Sequence, residues 1–212
     1  MLARAAFDAA RSFGYPPPGD AAVAAVLGRI PVPVREEVGR GLSDSIVIPG
    51  PQEHLFTIAG LAHGKGPYRW FSQNRAPSVP SANWEYFFQV AEFVRLSRLL
   101  GDHYVMGFED GLMDVSVREG DALVWYVEVK AAAQQLPRLR AELERHGAMV
   151  DTDAPDRDRD ALRKAKYLVR HRPRYLSLVG GEARQHYDVT YAEPSSFSLT
   201  ARARSPEVYL SG

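Results

Sequence analysis

Cysteine is absent from the 212 residues of this chain. Its absence excludes disulfide bonds, thiolate-ligated zinc sites and cysteine nucleophiles. Net charge is lacking as well, because 26 acidic residues balance 26 basic ones. No overall electrostatic field therefore attracts a polyanion or a membrane surface, and any such attraction has to be local.

Long apolar runs are also missing. The stretch "AAVAAVLG" at residues 21–28 is far too short to cross a bilayer. The first residues contain Asp8 and have no sustained apolar core of the kind found in signal peptides. We therefore expect a cytoplasmic protein with no membrane partner.

Lysine is scarce, with only four residues (Lys65, Lys130, Lys164 and Lys166) against 22 arginines. Arginine is thus the default cation of this sequence. A compact ammonium group suits contact with a single oxygen atom, whereas the planar guanidinium suits paired contacts. A lysine in this chain is therefore a candidate for a specific task.

Several common catalytic and binding motifs do not occur. The segment "GLAHGKG" is one residue short of a phosphate-binding P-loop and lacks the Ser or Thr that should follow Lys65. The acidic segment "DTDAPDRDRD" has no glycine at its sixth position and Leu162 where a calcium-binding loop needs Glu. The chain has no HExxH and no GxSxG pattern.

What remains is the composition of a globular protein, with 45% hydrophobic and 25% charged residues. Residues 1–80 are predicted to form an accessory N-terminal region, with helices over residues 2–13 and 20–40 and one or two short strands. Residues 81–212 are predicted to form an α/β domain. Its order is a helix, a three-stranded meander, one or two helices with a kink near Pro137, and further strands.

The segment "ALVWYVEVKAA", residues 122–132, is apolar on both faces and is therefore predicted to be a central strand. Near its end it carries Glu128 and Lys130, which share a face because side chains alternate along a strand. Charged residues are almost never fully buried unless they are paired or bind something. These two charges are therefore either a strand-end salt bridge or part of a functional site.

Whether Asp114, on the preceding strand, joins them depends on the turn at "EGD", residues 119–121. A three-residue loop, in which Gly120 takes the left-handed position, places Asp114 diagonally across from Glu128 on the same face, with Cα atoms about 7–8 Å apart. The two carboxylates could then share one metal ion. A two-residue loop would instead put Asp114 on the opposite face.

Asp114, followed by "EVK" at residues 128–130 at the end of a central strand, resembles the pattern of the PD-(D/E)xK nuclease superfamily. The resemblance covers residues 82–190 and departs from the family motif at Met113, which stands where the motif has proline. It implies that residues 81–212 form a restriction-endonuclease-like core. It also implies hydrolysis of phosphodiester bonds, with DNA as the favoured substrate.

The resemblance further implies a role for each matching residue. Asp114, Glu128 and the carbonyl of Val129 would bind Mg²⁺ or Mn²⁺, for which hard oxygen ligands are suited. Lys130 would be catalytic, orienting the attacking water or adding positive charge beside the phosphate. Glu85, on the first helix of the domain, would be a further catalytic carboxylate, with Glu92 as the alternative.

Two other features belong to this hypothesis. Gln134 resembles a glutamine found in some branches of the superfamily. A basic segment after residue 157 interleaves its cations with Tyr167, as a phosphate-tracking surface would. Its predicted nucleic-acid-binding residues are Lys164, Lys166, Arg170, Arg172 and Arg174. A solvated helix face would carry the same residues.

Two other interpretations remain open from the sequence. The chain could be a catalytically silent nucleic-acid-binding or assembly subunit with the same fold, or another α/β protein in which Glu128 and Lys130 form only a salt bridge. Cleavage of both DNA strands by an enzyme with one site usually needs a dimer. A homodimer, or a partner protein in a larger complex, is therefore part of the expectation.

Overall fold

The computed structural model describes residues 1–61, 66–74, 79–155, 160–192 and 195–210. The chain divides into two compact units, Met1–Arg95 and Leu96–Gly212. It has mixed α/β architecture, with a largely helical N-terminal part and a six-stranded mixed sheet in the C-terminal unit. The predicted α/β class is thus confirmed, while the proposed domain boundary at residue 80 stays a prediction.

The N-terminal unit contains three helices and the first part of a fourth: α1 (Leu2–Ser12), α2 (Asp20–Gly28), α3 (Val32–Ser43) and α4 (Trp84–Leu100). Its short strands form two small sheets. The first contains β1 (Val47–Pro49), β2 (Leu55–Ile58) and β3 (Tyr68–Arg69), and the second contains β4 (Phe71–Ser72) and β5 (Ser81–Ala82). The single helix predicted over residues 20–40 is wrong. Pro31 is the N-cap residue of α3 and has an extended backbone, and proline is favoured at the start of a helix. Proline also disfavours helical backbone in the residue before it, so α2 and α3 are two separate helices.

The C-terminal unit is built on one sheet. Its strands are β6 (Val105–Asp110), β7 (Met113–Glu119), β8 (Ala122–Lys130), β9 (Tyr175–Gly180), β10 (Ala183–Ala192) and β11 (Ser196–Arg202). The order across the sheet is β11-β10-β9-β8-β7-β6, and β8 pairs with β9 in parallel while the other neighbours are antiparallel. The meander and the central position predicted for residues 122–132 are therefore confirmed.

Among the described residues, two α-helices lie between the parallel strands β8 and β9. They are α5 (Leu136–Gly147) and α6 (Asp160–His171), and a short helix α7 (Glu207–Leu210) follows the last strand. Two parallel strands need such a crossover because a tight turn cannot join them. Pro137 lies in the first turn of α5, where proline is tolerated, so it starts this helix and the predicted kink is wrong.

Apolar residues of α5, α6 and the sheet form one buried core. The fully enclosed members of this core are Met113, Tyr126, Leu136, Leu143, Ala165, Leu168, Leu176 and Leu178. The helix-facing side of β8 is therefore a dry environment, in which a charged group needs partners.

The register between β7 and β8 differs from the expectation. Glu119 pairs with Ala122 across a two-residue turn, and Gly120 has a φ of 58°. The three-residue loop is therefore wrong. However, the register shifts at Val124, an extra residue in β8 that forms a β-bulge, so that Val115 pairs with Val127. The bulge returns Asp114 to the face that carries Glu128.

Among the described residues, no helix combines the length and the apolar character that a membrane crossing requires.

Candidate active site at the end of strand β8

Glu128 is the centre of a group of polar side chains on the helix-facing side of β8. Its side chain is 1% exposed, although it carries a carboxylate. The hydroxyl of Tyr126 donates a hydrogen bond to Glu128 Oε2 at 2.5 Å. Glu128 Oε1 lies 2.7 Å from Nζ of Lys130 and 3.0 Å from Nζ of Lys164. The free-energy cost of burying this carboxylate is therefore offset by its contacts with one hydroxyl and two ammonium groups.

The two oxygens of Glu128 are satisfied to different degrees. Oε2 accepts the hydrogen bond from Tyr126, whereas Oε1 is enclosed and makes no hydrogen bond within the described part of the chain. The two ammonium contacts to Oε1 are thus ion pairs that lack hydrogen-bond geometry. Oε1 is therefore an enclosed oxygen whose partners within the described residues are two ion pairs.

Asp114 approaches the same region from β7. Its Oδ2 accepts a hydrogen bond from the backbone N–H of Val129 at 2.6 Å. Burial raises the pKa of the Asp114 carboxyl well above its usual range, and the neighbouring charge of Glu128 raises it further. The hydrogen bond from Val129 and the charges of Lys130 and Lys164 oppose this rise. Two carboxylates therefore lie close enough to repel each other.

Lys164 is a site residue whose position the sequence does not indicate. The sequence pattern predicts it on an exposed basic surface, but its side chain is 8% exposed and points from α6 toward Glu128. A second contact, of 3.2 Å, joins Nζ of Lys164 to Oδ1 of Asp160 one helical turn earlier. Burial favours a lower pKa for Lys164, but Glu128, Asp160 and Asp114 together outweigh it and raise the pKa.

Tyr126 and Asp160 are two further site residues that sequence reasoning missed. Burial raises the pKa of the Tyr126 hydroxyl well above its usual range, and the charges of Glu128 and Asp114 add to this effect, so the hydroxyl keeps its proton and acts as a donor. The pattern "DALRK" indicates only that Asp160 and Lys164 can pair, because residues four apart on a helix face each other; it does not place this pair beside Glu128.

The two glutamates predicted from the first helix of the domain lie on α4, in the N-terminal unit. Glu92 is 1% exposed and pairs with Arg95, whose Nη2 lies 2.7 Å from Glu92 Oε1. Glu85 lies in the first turn of α4 and is partly buried. The participation of either glutamate in catalysis stays a prediction.

The remaining predicted residues lie on the surface of the C-terminal unit. Gln134 is exposed in a short 3₁₀ turn after β8. Lys166 donates a hydrogen bond to the carbonyl of Ala154. Three arginines at the C-terminal end of α6 and just beyond it are exposed, namely Arg170, Arg172 and Arg174. The predicted basic surface is therefore smaller than the sequence suggests, since Lys164 is buried.

The donor set fits a small divalent cation that keeps several waters. In the described part of the chain, no group of three or more Asp, Glu or His side chains is arranged to hold a metal ion. Mg²⁺ is usually bound through one or two carboxylates, with water and substrate phosphate completing its octahedron. Asp114 and Glu128 supply two carboxylates, and Glu128 Oε1 is an enclosed oxygen to which no described residue donates a hydrogen bond.

No protein-family model, curated protein or solved structure matches this chain. The chemistry of the site is therefore the basis on which a function can be proposed.

Proposed function

We propose that this protein is a metal-dependent nuclease of the PD-(D/E)xK type that hydrolyses phosphodiester bonds, with DNA as the preferred substrate. The observation that supports this most strongly is the convergence of Asp114, Glu128 and Lys130 at the end of β8. Asp114 accepts a hydrogen bond from the residue that follows Glu128, and Lys130 contacts Glu128 at 2.7 Å.

The order of elements is consistent with this proposal. Helix α4, the antiparallel meander β6-β7-β8, the crossover helices and the parallel strand β9 follow one another along the chain. This order resembles that of the restriction-endonuclease-like core, with two crossover helices where the core has one. The carboxyl end of the parallel pair β8 and β9 is also a common location for sites in α/β proteins.

The residues that would hold the metal are Asp114, Glu128 and the carbonyl of Val129. The N–H and C=O groups of one strand residue face the same neighbouring strand, so the Val129 carbonyl leaves β8 on the side from which Asp114 approaches. Mg²⁺ or Mn²⁺ held there would lower the pKa of a water and stabilise the charge that develops on the phosphate.

Each surrounding residue has a defined task in this scheme. Tyr126 holds Glu128 through Oε2, so Oε1, which the two ammonium groups contact, is the oxygen that a metal would use. The N–H of Val129 fixes the orientation of Asp114. Lys130, with a side chain that is 20% exposed, can reach both Glu128 and a substrate phosphate. It would orient the attacking water and stabilise the transferred negative charge.

The test is cleavage of supercoiled plasmid and of single-stranded DNA in Mg²⁺, Mn²⁺ or EDTA. We expect metal-dependent cleavage, and Lys130→Ala and Asp114→Asn should each reduce its rate by about 100-fold or more, because each removes a group that acts directly on the reacting atoms. Arg138→Ala is a suitable control, since Arg138 is 85% exposed and pairs with Glu142 on its own helix.

A second candidate function is supported by the two ammonium groups on Glu128 Oε1. They neutralise the charge of the Glu128 carboxylate without a metal ion, as expected of a site that does not catalyse a reaction. The chain would then be a nucleic-acid-binding or assembly subunit with the same fold. Binding of DNA without cleavage in any metal would favour this function over the nuclease.

A further inference from the structure

We propose that Lys164 is a displaceable counter-cation of the site: it holds Glu128 in the metal-free protein and moves toward Asp160 when a divalent cation binds. This inference rests on the proposed metal-dependent function and extends it to a residue outside the "EVK" triplet. It concerns binding of the metal itself and can therefore be tested without nucleic acid.

The first observation is the burial of Lys164. Its residue is 6% exposed, and lysine is among the residues least often found in protein interiors. Lys164 shares the buried side of helix α6 with Ala161, Ala165 and Leu168, which belong to the buried core. Since this chain uses arginine for most of its positive charges, a buried lysine aimed at one oxygen atom indicates a specific requirement.

The second observation is that two cations share one oxygen. Lys130 and Lys164 both contact Oε1 of Glu128, and neither contact is a hydrogen bond. A metal ion bound by Glu128 would compete for this same oxygen, because Oε2 is already engaged by Tyr126. At least one ammonium group must then withdraw.

The third observation is that Lys164 has another partner within reach. Its Nζ lies 3.2 Å from Asp160 Oδ1, while Nζ of Lys130 lies 4.0 Å from Asp160 Oδ2. The Asp160 side chain is 60% exposed, so it can adjust its position as Lys164 moves. Lys164 can therefore leave Glu128 and still be paired.

The charge balance agrees with this exchange. Asp114, Glu128 and Asp160 contribute three carboxylates, and Lys130 and Lys164 contribute two ammonium groups. With all five ionised, the site carries one negative charge. A divalent cation changes it to one positive charge, which attracts a phosphate group. The lysines thus limit the affinity for metal while they prepare the site for the substrate.

The experiment is titration of the purified protein with Mn²⁺ alone, following free Mn²⁺ by electron paramagnetic resonance. Lys164→Met removes the competing charge and replaces the aliphatic stem with an unbranched apolar chain that is one atom shorter. We expect it to bind Mn²⁺ about tenfold more tightly than the wild type, and to cleave DNA at least tenfold more slowly at saturating Mn²⁺. A purely structural lysine would give weaker or unchanged binding of Mn²⁺ when removed.

Two further variants complete the test. Asp160→Asn removes the alternative partner of Lys164, so Mn²⁺ binding should become several-fold weaker; this exposed substitution also serves if Lys164→Met does not fold. Arg138→Met, at an exposed cation of the neighbouring helix α5, should leave the Kd for Mn²⁺ unchanged. Unchanged Mn²⁺ binding in both Lys164→Met and Asp160→Asn would overturn the inference and leave the proposed nuclease intact. A wild type that binds no Mn²⁺ would overturn both.

Discussion

At the level of single residues, Asp114 and Glu128 bring two carboxylates together where burial already disfavours negative charge. Such an arrangement weakens the metal-free fold, because the two charges repel each other in a poorly solvated space. Sites that bind metal commonly accept this cost, and substitutions that relieve it stabilise the fold while removing function. The stability of an Asp114 variant therefore distinguishes a functional site from a structural salt bridge.

We predict that Asp114→Asn raises the free energy of unfolding by about 1 kcal/mol in EDTA at neutral pH. The amide removes the repulsion and still accepts the hydrogen bond from Val129. The direction in which the free energy of unfolding changes with pH follows from the raised pKa of Asp114. Above the ordinary Asp pKa of 3.8, the folded state holds a proton that the unfolded state has released, so wild-type stability falls as pH rises through this window.

Urea denaturation at several pH values measures this effect, and the Asp114→Asn variant should show a flatter dependence than the wild type. Asp121→Asn, at an exposed position in the β7–β8 turn, is the matched control. It should change neither the free energy of unfolding nor its dependence on pH. A loss of stability in Asp114→Asn would indicate that Asp114 is a structural partner of its neighbours.

The sequence is informative about Glu128 and Lys130 because two charges interrupt an apolar strand. It is less informative about Lys164, although the same argument from scarce lysine applies to it. A basic helix does not show which of its cations faces the core, and Lys164 lies four residues from both Asp160 and Leu168. Its burial depends on how α6 packs against the sheet, which is a tertiary property.

At the level of elements, the bulge at Val124 explains why Asp114 and Glu128 share a face although the predicted three-residue turn is wrong. A two-residue turn alone separates Asp114 from Glu128, and the extra residue in β8 restores their common face. The sequence could not reveal this bulge, because residues 123–127 are apolar throughout and give no alternation that would indicate a register shift.

Gly180 ends β9 directly beside Lys130, with which it pairs in the parallel ladder. A Cβ atom at Gly180 would lie 2.9 Å from the carbonyl oxygen of Ala132 and 3.0 Å from Cδ2 of Leu136. We predict that Gly180→Ala lowers the free energy of unfolding by about 1–3 kcal/mol, because backbone cannot yield as a side chain can. Equilibrium urea denaturation measures this change.

Gly39→Ala provides a control of opposite sign for the same measurement. Gly39 lies on the exposed side of α3, and an added Cβ would meet no atom within 4 Å. Alanine favours helix over glycine by roughly 0.5–1 kcal/mol, so this variant should be more stable than the wild type. If Gly180→Ala were as stable as Gly39→Ala, the close approach of β9 to the 3₁₀ turn would be disproved.

At the level of the whole molecule, equal numbers of acids and bases conceal a local surplus of positive charge at the end of α6. Arg170, Arg172 and Arg174 are exposed there. If they contact phosphates, the triple Ala variant should bind DNA more weakly. Its plot of log affinity against log salt concentration should also be less steep by about 2–3, because each phosphate that a cation neutralises adds roughly 0.9 to the slope.

Fluorescence anisotropy with a labelled duplex, over a range of salt concentrations, measures this slope. The control is the double variant Arg138→Ala and Arg140→Ala, because both arginines pair with glutamates four residues later on α5. Equal slopes for the triple variant and the wild type would place the nucleic-acid surface elsewhere on the protein.

The parallel pairing of β8 with β9 has a consequence for the order in which the chain folds. The meander β6-β7-β8 involves only near neighbours in sequence, whereas Val127 pairs with Ser177 fifty positions later. Closing so long a loop carries a larger entropic cost than forming a hairpin, so distant pairings are expected to form later. Asp114 and Glu128 would meet early during folding, and their compensating Lys164 would arrive only when α6 docks.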